Sequence, residues 1–227
     1  MNKLIQQLSP RAEFVIVTTT GFGYFTFTSL VWFLYILTAP ADFSMPALSD
    51  TDLYSIVGYE IVVLLLISNF LYLRGWSIRD FNLQLSWRLI GAGILLALVY
   101  YFIYYFLWLV FETVFGPFDN SWTEPASVNT GLSLTAILIA SIVNPLFEES
   151  LVIGYIMKSQ TARKGVWYAI NVSIFIRLLY HLYQGPLVVI GIVPLGWLFA
   201  YVYARWNRLW PIIIAHGILD FIALSAS

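Results

Sequence analysis

Six ionisable residues interrupt stretches that are otherwise almost free of charge. Glu148 and Glu149 lie in Asn144-Pro145-Leu146-Phe147-Glu148-Glu149-Ser150, Arg177 and His181 in Arg177-Leu178-Leu179-Tyr180-His181, and His216 and Asp220 in His216-Gly217-Ile218-Leu219-Asp220. Both histidines of the chain are in this set. A carboxylate paired with an imidazole can deprotonate a water and pass the proton to a leaving group, general acid–base catalysis worth about 10²–10⁴-fold. A second imidazole can act as electrophile toward a developing oxyanion. That inventory suffices to hydrolyse a peptide bond without a Ser or Cys nucleophile, and the chain has no cysteine. Glu148, His181 and His216 are also a donor set that a catalytic zinc accepts with one position left open, although no His-Glu-x-x-His motif is present.

The spacing adds direction to these residue types. Arg177/His181 and His216/Asp220 are i,i+4 pairs, so each pair projects from one face of a helix. Glu148 and Glu149 are neighbours, about 100° apart around a helix, so one faces a shared centre while the other turns toward an adjoining helix. Pro145 removes a helix hydrogen bond just upstream, a point where the helix can bend and admit water or a substrate backbone.

The elements that must carry these residues are membrane helices. Of the 227 residues 60% are hydrophobic and 10% charged, with 11 Lys+Arg against 12 Asp+Glu. An ordinary soluble domain carries about 25% charged residues, and a nucleic-acid binder needs a basic surplus that is absent here. Continuous apolar runs predict seven spans: Phe14–Ala39, Leu53–Leu73 with Glu60 inside it, Leu89–Phe111, Gly131–Met157, Gly165–Gln184, Pro186–Ala204 and Leu209–Ala226. Alternation of the kind a membrane β-barrel needs is missing. An ionisable side chain at the centre of such a helix costs at least about 2.5–3.5 kcal/mol, so these groups are expected to meet inside the bundle and to mark function. Glu60, about 12 Å below the helix start at Asp52 at helical rise, also calls for a partner or water.

Loop charge sets the orientation. Lys3 and Arg11, then Arg74, Arg79 and Arg88, then Lys158, Arg163 and Lys164, then Arg205 and Arg208 occupy alternate connections, while Asp42, Asp50 and Asp52, and Glu112, Asp119 and Glu124, occupy the others. The positive-inside rule then places the N-terminus in the cytoplasm and the C-terminus outside. Ala39-Pro40-Ala41 resembles a signal-peptidase site, but the apolar stretch before it is longer than a signal's 7–15 residues, so it is read as a retained first helix. The expectation is one integral membrane domain over 1–227, all-α, with its chemistry in about 131–224.

The order Glu-Glu, then His followed by Leu-Tyr-Gln-Gly, then His-x-x-x-Asp in the closing helix resembles the CAAX protease and bacteriocin-processing family (CPBP, also called Abi) of intramembrane proteases. The resemblance covers about residues 131–224. It implies a multi-pass protein of a bacterial plasma membrane that hydrolyses hydrophobic or membrane-anchored peptides. Glu148 and His181 would activate the attacking water, His216 and Asp220 would stabilise the oxyanion or complete a metal site, and Glu149 would be a second catalytic or supporting carboxylate. Members are described both as metalloproteases and as glutamate-dependent proteases, so zinc on Glu148, His181 and His216 is one option.

Three departures stand out. The family's first motif usually continues Glu-Glu-x-x-Phe-Arg-Gly, whereas this chain reads Glu148-Glu149-Ser150-Leu151-Val152-Ile153-Gly154. The second motif commonly has Phe four residues before His, where this chain has Arg177. Arg177 is therefore expected to supply from the fifth helix the charge missing at Ile153, by pairing with Glu149. The last motif often ends in Asn; Asp220 is expected instead to orient His216. The competing readings are a non-catalytic scaffold or immunity protein of the same fold, and an ion-coupled transporter. Membrane lipid and a peptide or membrane-protein substrate are the expected partners, and nucleic acid is excluded.

Overall fold

The computed structural model of the chain describes residues 5–39, 48–116 and 131–226. Among these residues it is all helix: α1 Pro10–Thr38, α2 Asp50–Leu73, α3 Trp87–Phe115, α4 Leu134–Lys164, α5 Val166–His181, α6 Val188–Trp206 and α7 Trp210–Ser225. A single turn of 3₁₀ helix at Ile78–Phe81 links α2 to α3, and another at Leu182–Gln184 follows α5. Pro40 and Ala41 of the tripeptide after the first helix lie outside the described residues, as do Lys3, Asp42, Asp119 and Glu124.

Local chemistry explains the boundaries. Four helices begin on a serine whose hydroxyl accepts the backbone N–H three residues on: Ser9 for α1, Ser49 for α2, Ser86 for α3 and Ser133 for α4. Such a cap satisfies an N–H that the helix leaves unbonded and is worth about 1 kcal/mol. Gly165, at φ 90°, ends α4, and Gly185, at φ 89°, ends the turn after α5. These left-handed positions are where a residue without Cβ stops a helix at little cost.

Seven helices fall where seven spans were expected, but they are unequal. Five, α1–α4 and α6, are long and apolar enough to cross a membrane. α5 and α7 have 16 residues each, about 24 Å at helical rise against roughly 30 Å of hydrocarbon. Both short helices carry ionisable site residues and pack among the longer ones, α5 against α1, α4 and α6, and α7 against α3 and α4.

α4 is the axis. In its most apolar stretch 61% of residues are buried, against 28% or less in the other four long helices. It runs unbroken through the buried Pro145 and winds as π-helix over Ser150–Met157, directly after the two glutamates. Such widened turns recur at functional sites.

At one end of the bundle polar contacts tie the connections together. Arg74 meets Glu13 at 2.7 Å, and Glu13 also accepts from Trp76 Nε1 and the Tyr155 hydroxyl. Lys158 meets Asp80 at 2.7 Å, and Arg208 donates to Asn82. The Lys158 ammonium holds the Asp80 carboxyl below its usual range. The basic segments expected on the inner side therefore meet at one end.

Lipid gives apolar helices little reason to associate, so close packing through small residues has to hold the bundle. Gly217 is such a contact: a Cβ there would stand 2.6 Å from the Ser141 carbonyl of α4, a backbone atom that cannot turn aside. Gly217→Ala is expected to cost about 1–3 kcal/mol by forcing α4 and α7 apart. Gly58→Ala, which faces open space, should be neutral. Thermal unfolding of the two variants in detergent checks this.

Candidate functional site

α4 delivers Glu148 and Glu149 from near its midpoint, α5 delivers Arg177, Tyr180 and His181 in its last turns, and α7 delivers His216 and Asp220. All six predicted residues belong to one cluster. The adjacent glutamates divide as their 100° separation requires. Glu148 Oε2 accepts from the Tyr180 hydroxyl at 2.6 Å and from Arg177 at 3.3 Å, and lies 3.9 Å from His181 Nε2. Glu149, with no exposed surface, accepts from one nitrogen of Arg177 at both carboxylate oxygens, at 2.7 and 2.8 Å, and meets His216 Nδ1 at 2.6 Å.

Arg177 is the hinge of this arrangement. It is completely buried and bonds both glutamates from the fifth helix. Ile153, where the motif arginine would stand, is equally buried and apolar. A guanidinium can bridge two carboxylates because its donors lie in a planar fork.

The fourth span was expected to end at Met157, but α4 continues to Lys164. Counted from Lys164, next to the shared turn, Glu148 and His181 are 16 and 17 residues away, and their side chains come within 3.9 Å. They are level.

His181 has both ring nitrogens buried and without a hydrogen-bond partner. Its ring lies 4.6 Å from that of Tyr180 and 6.3 Å from that of Tyr183. The 3.9 Å to Glu148 is too long for a direct hydrogen bond. α1 fixes this corner: Phe22 stacks on Tyr180 at 4.9 Å, and Ser29 accepts the Tyr183 backbone N–H.

His216 lies between two carboxylates. Asp220 stands 3.3 Å from its Nε2, and the shorter contact at Nδ1 belongs to Glu149. Glu149 thus stands nearer to the His216 ring than Asp220, from which the orienting contact was expected. A doubly protonated ring can donate to both acids, and a neutral ring to only one. Asp220 in turn accepts from Asn144 Nδ2 at 2.9 Å.

Tyr180 and Asn144 were not singled out from the sequence. The only available signals were that Tyr180 precedes His181 and that Asn144 stands one helical turn before Glu148.

A metal can be tested against these donors. One atom each from Glu148, Glu149 and His216 lie within 4.8 Å of one another, close enough to serve a single ion. Arg177 argues against it. Zinc would have to displace or face a buried guanidinium already bonded to both carboxylates, and His181 stands outside the group. The residues as arranged do not fit a catalytic zinc.

Residues 130–222 match the family model described as type II CAAX prenyl endopeptidase Rce1-like, a span of 93 of the 227 residues. That match bears out the resemblance carried by the three motifs. No curated protein and no solved structure matches the chain.

Proposed function

We propose that the protein is an intramembrane endopeptidase that cleaves hydrophobic or membrane-anchored peptides by means of a water activated by Glu148 and His181. The observation that carries this reading is the 3.9 Å gap between Glu148 Oε2 and His181 Nε2 on level helices, with His181 otherwise unbonded. A buried imidazole left without partners costs about 1–3 kcal/mol per unmet group, a cost that a bound water removes. The Rce1-like match over 130–222 supports the same class of reaction.

The water, held between Glu148 and His181, attacks the scissile carbonyl. Its proton passes to this pair and then to the leaving amine. The Asn144 amide, which keeps a second N–H beyond the one given to Asp220, is the donor to the oxyanion; both ring nitrogens of His216 face carboxylates, so a doubly protonated His216 acts on the oxyanion through its charge. Glu149 and Arg177 do not meet the water in this scheme. They hold His216 and neutralise the site, a fixed electrostatic frame that needs no reorganisation during reaction. The chemistry proceeds without metal, in a multi-pass protein whose N-terminus lies on the inner side of a cell membrane.

Purified protein in detergent or vesicles, incubated with a lipid-anchored hydrophobic peptide, is expected to yield a new carboxyl terminus detectable by mass. The activity is expected to survive exhaustive chelation in protein shown by elemental analysis to be metal-free. Activity lost on chelation and restored by zinc contradicts the metal-free route. Ion flux without hydrolysis identifies a transporter.

A further inference from the structure

Two buried acids take no part in this scheme, Glu13 and Glu60, and one of them lacks a partner. Glu60 of α2 is 2% exposed, and its Oε2 is sealed from solvent with no hydrogen-bond partner. Every other buried carboxylate among the described residues is bonded: Glu13 by Arg74, Trp76 and Tyr155, Glu148 by Tyr180 and Arg177, and Glu149 by Arg177 and His216. An unmet buried acceptor is rare in folded proteins and calls for an explanation.

Its position follows from the packing of α2. The buried residues of that helix, Leu53, Val57, Glu60, Val63, Ile67 and Leu71, recur every three or four positions and form one stripe. Leu53 and Val57 pack with Ala136 and Ala140 of α4, and Val63 and Ile67 join the core that holds Phe147 and Leu151. Glu60 lies between these two layers, level with the α4 turn that carries Asn144. The charged groups in electrostatic reach of its carboxyl are Glu148, Asp220 and His216, and none is Lys or Arg. It therefore borders the cluster, with no Lys or Arg to pair with it.

A peptide drawn to this depth brings the complementary need, since its backbone N–H groups lose water and must find acceptors inside the protein. We propose that Glu60 is a substrate-binding residue whose free carboxyl oxygen accepts a backbone N–H of the bound peptide beside the scissile bond. This inference rests on the protease reading. It adds to it that α2, outside the matched 130–222, forms one wall of the substrate site.

The test is steady-state cleavage of a lipid-anchored peptide and of its ester analogues, in which single backbone N–H groups are replaced by oxygen. Glu60→Leu is expected to raise KM about tenfold, the scale of one hydrogen bond, with kcat within about threefold. Glu60→Gln keeps a carbonyl acceptor and should stay near wild type. One ester analogue should raise KM of the wild type by a similar factor and be bound equally well by wild type and Glu60→Leu. Should the leucine variant fail to fold, Glu60→Met serves, and the ester series on wild type stands by itself. Unchanged KM in Glu60→Leu, or no ester that raises KM in wild type, overturns the inference while leaving the protease reading intact. A wild type that cleaves no such peptide overturns both.

Discussion

Arg177→Met is expected to unfold at a much lower temperature than wild type, with a loss of about 3–5 kcal/mol, and to hydrolyse nothing. The cause is the pair of carboxylates left behind. Glu149 has no exposed surface and Glu148 very little, and Arg177 is the guanidinium that bonds both. Breaking a buried ion pair by deleting one partner is costly because the remaining charge stays desolvated, whereas replacing both partners with apolar groups is often neutral. Arg177→Met combined with Glu149→Leu should therefore regain much of the stability and none of the activity, since His216 would lose its 2.6 Å partner. A second combination tests whether the charge can come from elsewhere. Ile153 lies one turn after Glu149 on α4, so Arg177→Met with Ile153→Arg returns a guanidinium to the same carboxylates and should recover part of both properties. Thermal unfolding and peptide cleavage at equal protein abundance check these outcomes, and no recovery would count against the transfer of charge from the fourth helix to the fifth.

Glu148→Gln is expected to behave differently, with a loss of about 10²–10⁴ in hydrolysis and little change in stability. Gln has the same shape, its carbonyl can still accept from Tyr180, and Arg177 keeps both bonds to Glu149. What disappears is the group that takes a proton. Separating the two glutamates this way divides the site into an acid–base arm, Glu148 with His181, and a structural arm, Glu149 with Arg177 and His216. Had the catalytic work belonged to Glu149, Glu149→Gln would leave the protein folded and inactive while Glu148→Gln stayed active. Comparing kcat/KM with unfolding temperature for both variants decides between the two.

Much of this was legible in the sequence because burying charge is expensive. Long apolar runs located all seven helices, and the few ionisable residues inside them could not face lipid. The i,i+4 spacing of Arg177 with His181 and of His216 with Asp220 placed each pair on one face, and the adjacency of Glu148 and Glu149 required the two acids to diverge. The rest depended on contacts between helices. Tyr180 is one of 15 tyrosines, and nothing in its neighbourhood distinguishes a buried donor to Glu148 from an interfacial anchor. Whether Glu149 or Asp220 lies nearer to His216 is set by the separation of α4 and α7, which a glycine at 217 permits but does not dictate. The length of α4 was hidden because the apolar run ends at Met157, whereas the chain continues as regular helix to Lys164 behind its π-helical segment. α5 is bounded by left-handed glycines at 165 and 185, and α7 starts after the left-handed Asn207, features that hydropathy does not register.

The measurement that bears most directly on the account is a double-mutant cycle on Glu148 and His181, read as kcat/KM for a membrane-anchored peptide at equal folded abundance. Residues that hold and deprotonate one water act as a unit and lose activity non-additively. Glu148→Gln, His181→Ala and the double variant should therefore all fall to nearly the same residual rate. Losses that multiply in the double variant, or a single variant that keeps wild-type activity, would mean that the two side chains do not share a water and that hydrolysis happens elsewhere.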